Sequence, residues 1–188
     1  MRRTAIVMTI VLFTLFPAFS QSQGQFYSVS LAPSLYLSIP HFEDELPART
    51  SAGFAASFDV LGYQTNRASA SLGVQLGTVT PSIPFGSYRA RGFTTIGLQM
   101  KGGWNITPVF SLSSQIGTEI NIYKHIEEVF ASFSFQIGPQ FLFMENDEYQ
   151  FFFTLPVSLH LRKEITAIQV GVGFRYQYFP SPKQGQHL

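Results

Sequence analysis

The chain has no cysteine, which excludes disulfides, cysteine-held metals and lipid attachment through an N-terminal cysteine. Charge is nearly as scarce: Asp, Glu, Lys and Arg together make up 12% of the residues, about half the share usual in soluble domains. A net charge of +1 leaves no electrostatic case for a nucleic-acid partner. Beyond the first twenty residues, no apolar run approaches the ~20 residues that a membrane-spanning helix needs. There is one Trp but 20 Phe, so apolar bulk is abundant and must be distributed some other way.

It is distributed by alternation. From Ile168 to Tyr178, the residues Ile168, Val170, Val172, Phe174, Tyr176 and Tyr178 share one face, and Gln169, Gly171, Gly173, Arg175 and Gln177 share the other. A period of two is the signature of a strand, whose successive side chains point to opposite faces. The same pattern recurs over Tyr27 to Ile39, Phe54 to Val60, Ser69 to Gly77, Thr95 to Trp104, Phe110 to Ile122, Ser132 to Phe143 and Tyr149 to Leu159. Stretches 40–51, 80–92, 124–128 and 162–166 read as loops, and 62–67, 105–108 and 145–148 as tight turns. Eight strands of this length suit a bilayer crossed at a tilt.

The N-terminus carries Arg2 and Arg3, an apolar stretch from Ala5 to Phe16, then Pro17-Ala18-Phe19-Ser20. That order reads as an export leader over 1–20, cut before Gln21, and the stretch is short for a membrane anchor. Residues 21–179 then form one domain, and 180–188 a short tail.

Alternation alone does not say which face is inside. The apolar face holds far more bulk than an eight-stranded lumen accepts, and the other face is Ser, Gly, Gln and Thr with little Lys or Glu. The expected architecture is an all-β, eight-stranded, antiparallel, up-and-down transmembrane barrel, with lipid outside and a polar lumen. A soluble barrel with the apolar face turned inward is the competing arrangement. Tyr27, Trp104, Phe110, Phe143, Tyr149, Tyr176 and Tyr178 fall near the turn ends, where a girdle of rings sits at headgroup level.

In this pattern the chain resembles the small eight-stranded outer-membrane proteins, the OmpA, OmpX and OmpW group. The sharpest local match is the insertion signal of such barrels, met here by Gln169, Gly171, Phe174 and Tyr176. The family usually ends on an aromatic residue, whereas here Phe179 and nine more residues follow Tyr178. The resemblance implies a bacterial outer-membrane location with both termini periplasmic. The implied partners are outer-membrane lipids and the barrel assembly machinery, and the implied state is a monomer.

The charges on the lumen parity are Asp59, Lys101, Glu119, His160 and Arg175. Counting from the turns places Asp59, Lys101 and Arg175 toward the periplasmic end, with Arg175 in reach of Asp59, Glu119 higher and His160 higher still. They read either as a gated, ion-selective narrow pore or as a polar plug. Pro33, Pro139 and Pro156 interrupt strands, and Pro139 with Pro156 form a candidate lateral gate for apolar solutes or a simple bulge. Ser158 and His160 share a face, the only trace of lipid-modifying enzyme chemistry, so no catalytic residue, metal or cofactor is expected. His41, His125 and His187 fall in loops or tail. Arg89 and Arg91, with Glu43, Asp44, Glu45 and Arg49, are loop charges, and the two arginines are candidate contacts to lipid phosphates. The expected role is structural or that of a narrow channel for small or apolar solutes. A surface protein binding a host or lipid partner through its loops is the rival.

Overall fold

A computed structural model describes residues 24–40, 49–81, 92–123, 129–162 and 165–180. The strands are β1 (Gly24–Pro40), β2 (Arg49–Gln64), β3 (Ala68–Val79), β4 (Phe93–Asn105), β5 (Phe110–Tyr123), β6 (Val129–Glu145), β7 (Tyr149–Thr154), β8 (Val157–Leu161), β9 (Ile165–Gly171) and β10 (Gly173–Tyr178). Each of the first six pairs antiparallel with the next. β6 then pairs with both β7 and β8, and β1 with both β9 and β10, which closes the sheet on itself. The ten segments are thus eight crossings, the last two each broken once.

Both breaks lie in a row of missing ladder bonds. Leu155 donates to the Pro139 carbonyl at 3.1 Å, Gly171 to that of Pro156 at 2.9 Å and Val172 to that of Pro33 at 3.1 Å. A second bond should complete each of these pairs, but proline has no N–H to give. Three consecutive seams, between β6 and β7/β8, β8 and β9, and β9/β10 and β1, each lose one bond at the same height.

Several strands run further than the alternation suggested. β2 continues to Gln64 through a bulge, where the register shifts between Asp59 and Leu61 against β3 and correspondingly against β1. Val60 and Leu61 both face outward, 59% and 38% exposed, so the period of two slips there and the residues beyond look like a turn. A second slip between Leu142 and Met144 does the same in β6.

The distribution of side chains is inverted relative to a soluble domain. The buried set is mostly polar, including Ser28, Gln75, Gln99, Gln115, Glu119 and Gln177. The exposed set is a continuous apolar belt, with Leu98 67%, Leu35 59%, Phe174 57% and Phe143 56% exposed. Burying polar groups is tolerable only when they bond one another, and a belt this extensive exceeds any patch a soluble monomer leaves in water.

The expected leader 1–20, Arg89, Arg91, Glu43, Asp44, Glu45, His41, His125 and the tail from 181, including His187, lie outside the described residues.

Candidate functional site: the lumen

The inward faces meet in layers that begin at the end bearing the short turns. At that end Phe26 and Phe179 are buried, with ring centroids 6.1 Å apart. Phe179 is held by its backbone N–H on the Glu148 carbonyl at 2.7 Å. Glycine at position 62 makes room, since the Phe26 ring occupies the space its Cβ would take. Beside them a chain of amides crosses the lumen: Gln177 donates to Gln64, Gln64 to Gln150 at 3.5 Å, and Gln150 to Glu145 at 2.6 Å. A cleft of about 490 Å³ lies between the turns, bounded by Gln64, Asn105, Phe110, Gln150 and Phe152.

The next layer is a knot of charge around Asp59. Its carboxylate takes Lys101 Nζ at 3.1 Å and an Arg175 guanidinium N–H at 3.3 Å. Ser28 Oγ also donates to it, as does Gln99 Nε2 at 3.2 Å. Lys101 reaches Ser57 Oγ at 2.8 Å, while Arg175 reaches Ser28 at 3.2 Å and Gln140 at 3.4 Å. The bulge that follows Asp59 and glycine at 73 shape this niche: a Cβ on Gly73 would come within 2.8 Å of Asp59 Oδ1. All of these side chains but the half-buried Ser57 are buried.

Above it lies a cavity of about 60 Å³, then a second charged layer. His160 Nδ1 sits 3.1 Å from Glu119 and its Nε2 2.9 Å from Gln169 Oε1. Gln169 in turn donates to Ser34 at 2.6 Å. His160 therefore stands level with Glu119, not above it: the two meet across the lumen from crossings that are not neighbours, a consequence of strand tilt. Ser158 donates to Gln136 at 3.0 Å, so the structure does not join Ser158 and His160 in a nucleophile–base hydrogen bond, the first geometric requirement of that chemistry.

At the loop end the lumen closes on Tyr36, Phe93, Tyr123 and Phe130, successive ring centroids lying 5.5, 5.1 and 5.6 Å apart. The Arg162 guanidinium packs 4.7 Å from the Phe130 centroid and donates to the Tyr123 hydroxyl. Among the described residues a space of about 10 Å³ lies beneath this cover.

Of the other residues singled out, Phe174 and Tyr176 face outward, 57% and 37% exposed. Gly171 packs against Pro156: a Cβ there would meet the proline ring at 3.2 Å. Pro139 and Pro156 both border the central cavity. The lumen aromatics Phe26, Tyr36, Phe93, Tyr123, Phe130 and Phe179 were not among the expected site residues. Carrying the alternation one or two positions past each strand end would have placed most of them inside.

No family model matches the sequence, and no curated protein does. Among solved structures, Neisserial surface protein A aligns with a TM-score of 0.51 at 11% identity, covering 81% of this chain and 97% of that one. Ail of Yersinia pestis aligns with a TM-score of 0.49 at 14% identity, covering 82% and 99%. OprG of Pseudomonas aeruginosa gives 0.42 at 10% identity, covering 85% and 98%. With its closed ring of eight crossings and its inverted faces, the chain has the fold of the small outer-membrane β-barrels.

Proposed function

We propose that the protein is an integral outer-membrane barrel with a closed lumen, whose role in the envelope is structural. The observation that carries this reading is the continuous packing of the lumen. Among the described residues two aromatic closures, an amide chain and two charged layers cross it, with spaces of about 60 Å³ and 10 Å³ between them. A conducting path would need each of these layers to part. In the proposed topology the leader directs export, the even number of crossings leaves both termini in the periplasm, and the short turns face that side. The assembly machinery would read Gln169, Gly171, Phe174 and Tyr176, and the barrel would insert as a monomer with lipid against its apolar belt. The occupied nitrogens of His160 favour a non-enzymatic role.

Purified barrel in planar bilayers is expected to give no single-channel current above the lipid baseline. Regular conductance steps that vanish in the Glu119→Gln variant would overturn the closed reading in favour of a pore.

We read the proline row as a structural kink. The space behind it is lined in part by Lys101 and Arg175 and, at about 60 Å³, is too small for an apolar solute of benzene size, which takes about 150 Å³. The substitution Pro156→Val restores an N–H facing the Gly171 carbonyl, and one ladder bond is worth about 1 kcal/mol net. A small gain in stability, slower amide exchange at residues 170–172 and unchanged uptake of apolar solutes are expected. Loss of uptake in a folded Pro156→Val barrel would instead establish a lateral gate.

A further inference from the structure

The knot around Asp59 is not electrically balanced. It holds one carboxylate against two cations, Lys101 and Arg175. Among the described residues the other buried carboxylate, Glu119, is engaged by His160, and Glu145 lies exposed at the turn end. Glu119 pairs in register with Gly97, four residues along β4 from Lys101, or about 13 Å of strand. A surplus positive charge therefore lies in the barrel wall region where water is scarce and where unpaired charge is costly.

The cavity above the knot is lined by both cations and by no carboxylate. Asp59 sits behind them, its side chain wholly buried. Hydrogen-bonding capacity on this wall is equally one-sided. The Lys101 ammonium has three N–H groups, shared among Ser57 and the two oxygens of Asp59. Arg175 has five, of which Ser28, Gln140 and Asp59 take three. Gln75, Gln136 and Gln140 have their amide oxygens occupied, by Gln115, Ser158 and Arg175 respectively. Their amide nitrogens make no bond to another described residue. The wall thus offers spare donors and net positive charge, with Gln115 Oε1 and the hydroxyls of Ser30, Ser114 and Thr154 as its acceptors.

We propose that this cavity is a binding site for a small monovalent inorganic anion of halide size, held between Lys101 Nζ and the Arg175 guanidinium with glutamine N–H groups completing its shell. Water alone would satisfy the donors but leave the charge uncompensated. A cavity of about 150 Å³ is needed to take a benzene-sized molecule, so the cavity of about 60 Å³ has room for an ion with water and not for an organic anion of that size. The site does not depend on whether the lumen conducts, because it answers to the resting arrangement of charges.

The test uses bromide as the probe. Crystals of the full-length mature barrel grown in sodium bromide are expected to show an anomalous peak between Lys101 and Arg175. In vesicles, unfolding midpoints should be higher in sodium bromide than in sodium gluconate at equal ionic strength and should rise with bromide concentration, as for any ligand of the native state. Gln136→Glu places a fixed negative charge on the wall and should abolish both the peak and the bromide dependence in a folded barrel; Lys101→Met should abolish the peak. Bromide found only on the outer surface, an adventitious ion only, would overturn the proposal. So would a bromide effect that survives unchanged in Gln136→Glu, since that is a general salt effect. If Lys101→Met does not fold, wild type and Gln136→Glu decide the matter.

Discussion

Replacing Asp59 by alanine is expected to destabilise the barrel by about 3–5 kcal/mol, the cost of removing one partner from a buried ion pair. Four side chains donate to this carboxylate: Lys101, Arg175, Ser28 and Gln99. Without it two cations are left in a buried layer with no carboxylate to share. The loss is a large part of the ~5–15 kcal/mol that a typical domain has in total. Urea unfolding in vesicles would measure it, followed by the fluorescence of Trp104, the sole tryptophan, which is 48% exposed on the outer face. Heat-modifiable migration in detergent gives an independent count of folded molecules. The triple replacement Asp59→Leu, Lys101→Met, Arg175→Met separates charge from packing. Buried ion pairs are often neutral against apolar replacements of similar volume, so the triple variant should be closer to wild type than Asp59→Ala alone. An Asp59→Ala barrel that unfolds at the wild-type midpoint would mean that the knot is hydrated and contributes little.

How much of this lumen was legible in the chain depends on how many residues lie between partners around the ring. Asp59 and Arg175 sit on the two strands that flank β1, and adjacency plus a count from the turns is enough to bring them within reach. Glu119 and His160 are separated by β6, which pairs Ser132 with Glu119 and Ser134 with His160. Their meeting depends on the tilt and stagger of the closed barrel, quantities that no single strand encodes. The aromatic closures were missed for a simpler reason. An aromatic in a strand reads as lipid-facing by default, and Phe26 and Phe179 lie just outside the segments where alternation is plain. Their parity nevertheless places them with Ser28 and Gln177, on the inside. The bulge after Asp59 hid the end of β2 because two consecutive outward residues break the period. The architecture was legible because every crossing repeats one rule; the lumen contacts were not, because each joins residues from different crossings.

The inverted faces lead to a second expectation of comparable size, at a position where a soluble protein would show almost none. Leu98 is 67% exposed and lies mid-strand in β4, paired with Val74 on one side and Thr118 on the other. In water, Leu98→Arg at so open a site would change stability by no more than about 0.5 kcal/mol. With lipid against that face, arginine at the bilayer midplane should cost about 2–4 kcal/mol, declining to about 0–1 near the interfaces. Val129 supplies the comparison: it is 61% exposed at the loop-end terminus of β6, so Val129→Arg should be nearly neutral. Midpoints of urea unfolding in vesicles for the two variants give the depth gradient directly. Equal and negligible effects at Leu98 and Val129 would mean that the apolar belt does not face hydrocarbon, and the membrane reading would fall with it. A steep gradient has no source in contacts within the chain, because both side chains project away from it. Only the solvent around the barrel can produce it, and that solvent is what the alternation of these strands specifies.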